Sequence, residues 1–313
     1  MAGTAPFAYV ANNRSHDVSV IDTATNTVVA TVKVDGAPIG IAVTPDGKRA
    51  YIAIRAQNTG TVSVLDAANN TVMATETVTD FFIGGIAITP DGKQAYVANS
   101  GNANAVSVID TATNKVVATI PQRESIDLAF SPDGKHAYVT DFNGVTVIDT
   151  TAQKVQTTIP IAKTQGTVGR GIAITSDGKQ AYLTNGDTNN VSVIDTATNT
   201  VSATVVVGVD PVGVAVTPDG KRAYVANHGS NDVSVINTAT NAPAATVGVG
   251  TAPVGVATAA DGKNVYVANE DSGTVSVIDT ATNTVAATVS VGDHPFAIGI
   301  IRPAPSWQSR PSG

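Results

Sequence analysis

Seven tyrosines divide the chain into nearly equal parts. They are Tyr9, Tyr51, Tyr96, Tyr138, Tyr182, Tyr224 and Tyr266, with spacings of 42, 45, 42, 44, 42 and 42 residues. Other landmarks keep the same step. Asp-Gly-Lys recurs six times, at 46–48, 91–93, 133–135, 177–179, 219–221 and 261–263. Runs like Val-Ser-Val-Ile-Asp-Thr-Ala-Thr-Asn begin at Val18, Val62, Val106, Val145, Val191, Val233 and Val275. A period of this length signals a repeat architecture, in which one supersecondary unit buries its apolar face only against its neighbours.

One unit, Ile39 to Thr75, reads as four short strands. Ile39–Thr44 leads through Pro45-Asp46-Gly47-Lys48 into Arg49–Ile54. Proline presets φ, aspartate bonds the following backbone, and glycine accepts a positive φ, so this is a tight turn. A polar loop precedes Thr61–Asp66, and Ala67-Ala68-Asn69-Asn70 turns the chain into Thr71–Thr75. Four strands in such a repeat make a propeller blade. No segment sustains the 3.6-residue period of a helical solenoid.

The expected fold is an all-β, seven-bladed propeller of four-stranded antiparallel blades over residues 1–301. The chain opens on a second blade strand, Phe7–Ala11, and closes on a first-strand pattern, His294 to Ile301. The C-terminal strand is therefore expected to pair with Phe7–Ala11 and complete the N-terminal blade, which removes open sheet edges. Residues 302–313 break the pattern, are rich in Pro and Ser, and read as a flexible tail or linker carrying Trp307.

Composition narrows the function classes. The net charge is −7, with only 14% charged residues and no basic run, which argues against nucleic acid as a partner. The absence of cysteine excludes disulfides, thiolate metal sites and cysteine nucleophiles. No apolar run reaches transmembrane length, and Met1 to Pro6 lacks the basic and apolar segments of a signal peptide. A closed ring needs no partner subunit for stability, so a monomer is expected. Gly-x-Ser-x-Gly, His-Glu-x-x-His and P-loop signatures are all missing.

The strings Tyr9-Val10-Ala11-Asn12, Tyr96-Val97-Ala98-Asn99, Tyr138-Val139-Thr140-Asp141 and Tyr182-Leu183-Thr184-Asn185 resemble the YVTN repeat. So do the Val-Ser-Val-Ile-Asp-Thr runs downstream. The resemblance covers about residues 6 to 301 and is to YVTN and YncE-like propellers of bacteria and archaea. It implies a seven-bladed fold and an extracellular, cell-surface or periplasmic setting. Some YncE-like propellers are linked to DNA, an expectation that the acidic balance opposes. More distant relatives include lactonase-like and streptogramin-lyase-like enzymes, so the resemblance leaves activity open.

Residues present in every blade are assigned to packing and turns, and departures from the repeat mark a site. One face should carry the connections between blades and the loops between second and third strands, around the mouth of the central channel. The residues just before the first strands are His294, Ala37, Phe82, Glu124, Val168, Asp210 and Ala252. If they point inward, Glu124, Asp210 and His294 share the channel mouth. Arg123, Asp127 and Arg170 are nearby departures, and Phe81 and Phe82 add an apolar patch. The loop ring contributes Arg55, Asp141-Phe142, Asn185-Gly186-Asp187, Asn227-His228 and Asn269-Glu270-Asp271.

The expected binding set is Phe82, Arg123, Glu124, Phe142, Arg170, Asp210 and His294. Glu124, Asp127 and Asp210 could hold a hard divalent cation, Ca²⁺ or Mg²⁺, through oxygen ligands. Glu124, Asp127 and His294 could perform acid–base catalysis. The plainer account is that arginines and carboxylates neutralise one another across a hydrated channel. The leading functional expectation is a non-catalytic scaffold presenting this face to a protein, glycan or small ligand, with no cofactor. The alternative is a metal-assisted, lactonase-like or lyase-like enzyme.

Overall fold

In a computed structural model the described residues form 28 strands, β1–β28, in seven four-stranded antiparallel sheets. The structure describes residues 7–79, 82–99, 104–161 and 169–301. The expected tail with Trp307, together with Phe81 and Val168, lies outside the described residues.

Blade 1 has the order β28 (Pro295–Ile300), β1 (Phe7–Asn12), β2 (Asp17–Asp22), β3 (Thr27–Lys33). The ring therefore closes as the sequence predicts. Ala8 pairs with Ile300 and Val10 with Ile298, and the Ile301 N–H donates to the Phe7 carbonyl at 2.9 Å. Blade 2 comprises β4 (Ala37–Val43), β5 (Arg49–Arg55), β6 (Gly60–Asp66) and β7 (Thr71–Thr79), within a few residues of the strands read from sequence. Blades 3 to 7 begin on β8 (Ile83–Ile88), β12 (Leu128–Phe130), β16 (Gly169–Ile174), β20 (Pro211–Val216) and β24 (Pro253–Thr258).

The core is divided into seven apolar clusters, one at each seam between blades. At the closing seam Ala8, Val10, Ile21 and Ile298 of blade 1 pack on Tyr266, Val275 and Val277 of blade 7. Truncating one such isoleucine to alanine costs about 2–5 kcal/mol.

The repeated tyrosine explains itself at these seams. Each Asp-Thr-Ala-Thr-Asn turn places its last residue in the left-handed region. Asn26, Asn70, Asn114, Gln153, Asn199, Asn241 and Asn283 have φ between 51° and 56°. Asparagine tolerates that conformation, and its side chain then faces the preceding blade. Tyr9 donates its hydroxyl to Asn70 at 2.9 Å, Tyr51 to Asn114 at 2.5 Å, and Tyr182 to Asn241 at 2.6 Å. Tyr138 reaches Asn199, Tyr224 reaches Asn283, and Tyr266 reaches Asn26 across the closing seam. Between blades 3 and 4 the acceptor is replaced by Gln153, and the buried Tyr96 hydroxyl makes no bond of acceptable geometry.

On the same face the Asp-Gly-Lys turns stack around the ring. Gly92 packs beside Pro45, Gly134 beside Pro90 and Gly178 beside Pro132. Each turn is internally bonded. The Thr89 hydroxyl donates to Asp91 at 2.7 Å, and with the Lys93 N–H it holds the Asp91 carboxyl below its usual range.

Two outcomes follow. Burial, joined by nearby aspartates, pushes the hydroxyls of Tyr9, Tyr182 and Tyr266 up to about 12. Their unfolded value is about 10, so the stability they lend is full below that pH and is lost as pH rises towards 12. Urea midpoints should hold to about pH 10 and then fall. Separately, Gln153→Asn should supply the missing seventh bond and stabilise the protein by about 1 kcal/mol. That gain should vanish in a Tyr96→Phe background, measured by urea denaturation.

Candidate functional site

The first strands of six blades, with Ile126 and Asp127 just before β12 in blade 4, line the central channel, a cavity of about 600 Å³. Its wall is apolar, including Ile39, Ile41, Ile86, Val212, Val214, Val254, Val256, Phe296 and Ile298. Glycines let neighbouring first strands approach closely. A Cβ added to Gly171 or Gly255 would lie 2.5 Å from the carbonyl oxygen of Val212 or Phe296 on the next blade. Six blades carry Gly or Ala at this level, and blade 4 carries Asp127.

Asp127 is half-buried and tightly placed. Its N–H donates to Thr140 Oγ1 at 3.0 Å, its carbonyl accepts from the Thr140 N–H at 2.9 Å, and its Oδ2 accepts from the Ile172 N–H at 3.3 Å. The carboxylate lies against Gly85, where any side chain would collide with it. Desolvation pushes the Asp127 carboxyl up to about 6, against the pull of the Leu128 and Ile172 N–H groups.

A chain of ionisable groups runs along the mouth on blades 5 to 7. Arg170 Nη2 meets Asp210 Oδ1 at 3.0 Å, Asp210 Oδ2 meets His228 Nδ1 at 3.4 Å, and His228 Nε2 meets Glu270 Oε2 at 3.8 Å. Gly186 leaves room for it, since a Cβ there would sit 2.9 Å from Arg170 Nε. Across the mouth, Arg55 Cζ lies 5.9 Å from the centre of the Phe82 ring. The Asn13 side chain donates to the Pro38 carbonyl at 3.4 Å.

Of the sequence-predicted residues, Phe82, Asp127 and Arg170 line the channel. Asp210 stands behind Arg170 and His228 and contacts both. Glu124 and His294 do not line the channel, which corrects the expectation that they share its mouth with Asp210. The cause is backbone conformation. Glu124, Asp210, Ala252 and His294 have φ of 49°, 53°, 54° and 53°, and these left-handed corners turn the chain so that none of the four side chains faces the channel. Glu124 is exposed, with its N–H bonded to Asn104 Oδ1 at 3.2 Å. His294 instead contacts Asp293 at 3.0 Å and Asp271 at 3.7 Å. Arg123 is exposed, and Phe142, also exposed, stands outside the channel lining. Of the three residues expected to share acid–base work, only Asp127 reaches the channel. Among the described residues no three His, Asp or Glu side chains gather into a metal cage, so Glu124, Asp127 and Asp210 do not form the cation site expected of them.

Arg55, His228 and Glu270 face the channel although the binding set omits them. With Asn13 and Phe142 they occupy one repeat position, the residue after the last core position of each second strand. That position reads Asn13, Arg55, Ser100, Phe142, Gly186, His228 and Glu270 around the ring. Its variety was the available signal.

A family model described as "Lactonase, 7-bladed beta-propeller" matches residues 198–295, under half of the chain. Hydrazine synthase of Kuenenia stuttgartiensis superimposes with a TM-score of 0.81 and 29% identity, over 87% of this chain and 92% of that one. The chain is a seven-bladed propeller similar to the lactonase type. A functionally unknown protein from Desulfotomaculum acetoxidans shares the propeller's fold at 18% identity and a TM-score of 0.79, over 95% of this chain and 99% of its own. A candidate 6-phosphogluconolactonase from Bacteroides fragilis does so at 16% identity and a TM-score of 0.79, covering 95% and 98%. No curated protein matches the propeller. Among its described residues no helix is long and apolar enough to cross a membrane.

Holding a carboxylate at about 6 in the wall has a stability cost. The raised value means the fold favours the neutral acid, so the contribution is full below about pH 4 and is lost as pH rises through 6. Asp127→Asn should therefore stabilise the protein at pH 8 by up to about 3 kcal/mol, and the gain should disappear near pH 4. Thermal or urea denaturation of both proteins across that range checks this.

Proposed function

We propose that the protein is a binding module whose central channel takes one small ligand at its loop-bearing mouth. One observation carries this reading. Seven nearly identical blades each present one polar or aromatic side chain there, of six different kinds: Asn13, Arg55, Phe82, Asp127, Arg170, His228 and Glu270. Packing alone favours the same residue in every blade, as it does for tyrosine and glycine. The unlike groups sit on paired strands or beside them, over an apolar wall, in a space sized for a small molecule. Asp127 is retained at a cost in stability, a common price of function.

A second reading is favoured by Asp127 and by the lactonase-type match. A carboxyl near 6 beside an open cavity suits general acid–base work, and the water it activates could open a lactone. Arg170, held by Asp210, would then face the developing negative charge.

Calorimetry and thermal shift against panels of lactones, sugar acids, aromatic acids and nucleosides test the first reading. At least one class should bind, and Val254→Trp, which fills the channel, or Asp127→Asn should weaken it at least tenfold. Binding of no class, with all variants indistinguishable from the parent, would sink the channel reading. For the second, pH-stat assays on the lactone panel should show turnover that falls at least a hundredfold in Asp127→Asn.

A further inference from the structure

The channel mouth is electrostatically divided. On blades 4 to 7 the polar groups are engaged by protein partners, with Arg170, Asp210, His228 and Glu270 joined in sequence and Asp127 bonded to the Ile172 N–H. On blades 1 to 3 the pattern differs. Arg55 has no carboxylate partner among the described residues and rests over Phe82 instead. Its backbone is fixed on both sides, opposite Ala37 and Gly60, so the side chain springs from a rigid point.

The surroundings of Arg55 are flat and apolar. Phe82 is about half exposed, and Phe296 and Ile39 face the channel from blades 1 and 2. Below Phe82 the wall residue is Gly84, where five of the other blades carry Ile, Val or Phe at the same level and Arg170 occupies the sixth. The wall there is bare backbone, closed by the Ile126 carbonyl, with which a Cβ on Gly84 would collide, so no side chain projects beneath the arginine and the ring. A guanidinium over an aromatic face still offers paired N–H donors at its edge, which match the two oxygens of a carboxylate. The carboxylates of the opposite arc would repel the same group and so fix its direction.

Resting on the channel reading above, we infer that the ligand is an aromatic carboxylate of one or two rings. Its carboxylate is taken by Arg55 and its ring lies against the apolar wall of Phe82, Ile39 and Phe296. Neutral aromatic and aliphatic acid analogues each keep one half of this recognition and lose the other.

Isothermal titration of the full chain with benzoate, 2-naphthoate, benzamide and acetate tests the assignment. Benzoate or naphthoate should bind, with benzamide and acetate each at least tenfold weaker. Arg55→Ala should lose at least tenfold in naphthoate affinity, Arg55→Lys should lose most of that, and Phe82→Ala should lose severalfold. Arg55 is exposed at a strand end, so an unchanged melting temperature in Arg55→Lys and Arg55→Ala separates lost recognition from lost fold. Equal binding of benzamide, or naphthoate binding unchanged in Arg55→Ala, overturns the assignment. If another class binds and depends on Asp127 but not on Arg55, the channel reading stands and this one falls. If no compound of any panel binds, both fall together.

Discussion

Every blade has two apolar faces, and neither can be covered except by another blade. That requirement fixes the architecture. A row of such sheets would end in two exposed faces, so the row bends into a ring. The pairing of β28 with β1 and the packing of Tyr266 against blade 1 make the last seam equivalent to the others. Hydrogen bonds between tyrosine and the left-handed asparagine add direction to this packing. They set how far each blade is rotated about its neighbour, where hydrophobic contact alone would allow sliding.

The same economy produces the site. Near the axis the first strands approach so closely that one level of the wall admits little beyond glycine or alanine. Further towards the mouth the constraint relaxes and the blades diverge in chemistry. Asp127 is the exception that enters the tight level. It does so where blade 4 also has the shortest first strand, three residues, and where the tyrosine bond is missing. Irregularity in packing and polarity in the channel are thus concentrated in blade 4 and its seam with blade 3.

Much of the fold was legible in the sequence because the repeat states it seven times. Strand ends in blade 2, the turn at Pro45 to Lys48, and the closing strand all follow from local patterns that only one architecture satisfies. The site was legible in part. Phe82, Asp127 and Arg170 were visible as departures from a repeating position. Glu124 and His294 were departures too, but at a corner whose φ near 50° no residue pattern announced, because Ala252 occupies the same corner. Glycine or asparagine there would have signalled it. Arg55, His228 and Glu270 were visible as one variable position but looked like ordinary turn residues. What mattered was which side of the second strand they leave, and that depends on counting from the buried tyrosine.

The closing strand is also part of the channel wall, through Phe296 and Ile298. A growing chain therefore carries β1, β2 and β3 without their innermost partner until β28 has been made. The first blade to be synthesised is the last to be finished, and the cavity does not exist before then. Any cut between strands β1 and β28 leaves the two ends of the ring held by a single sheet, so the cavity serves as a record that all seven blades are present.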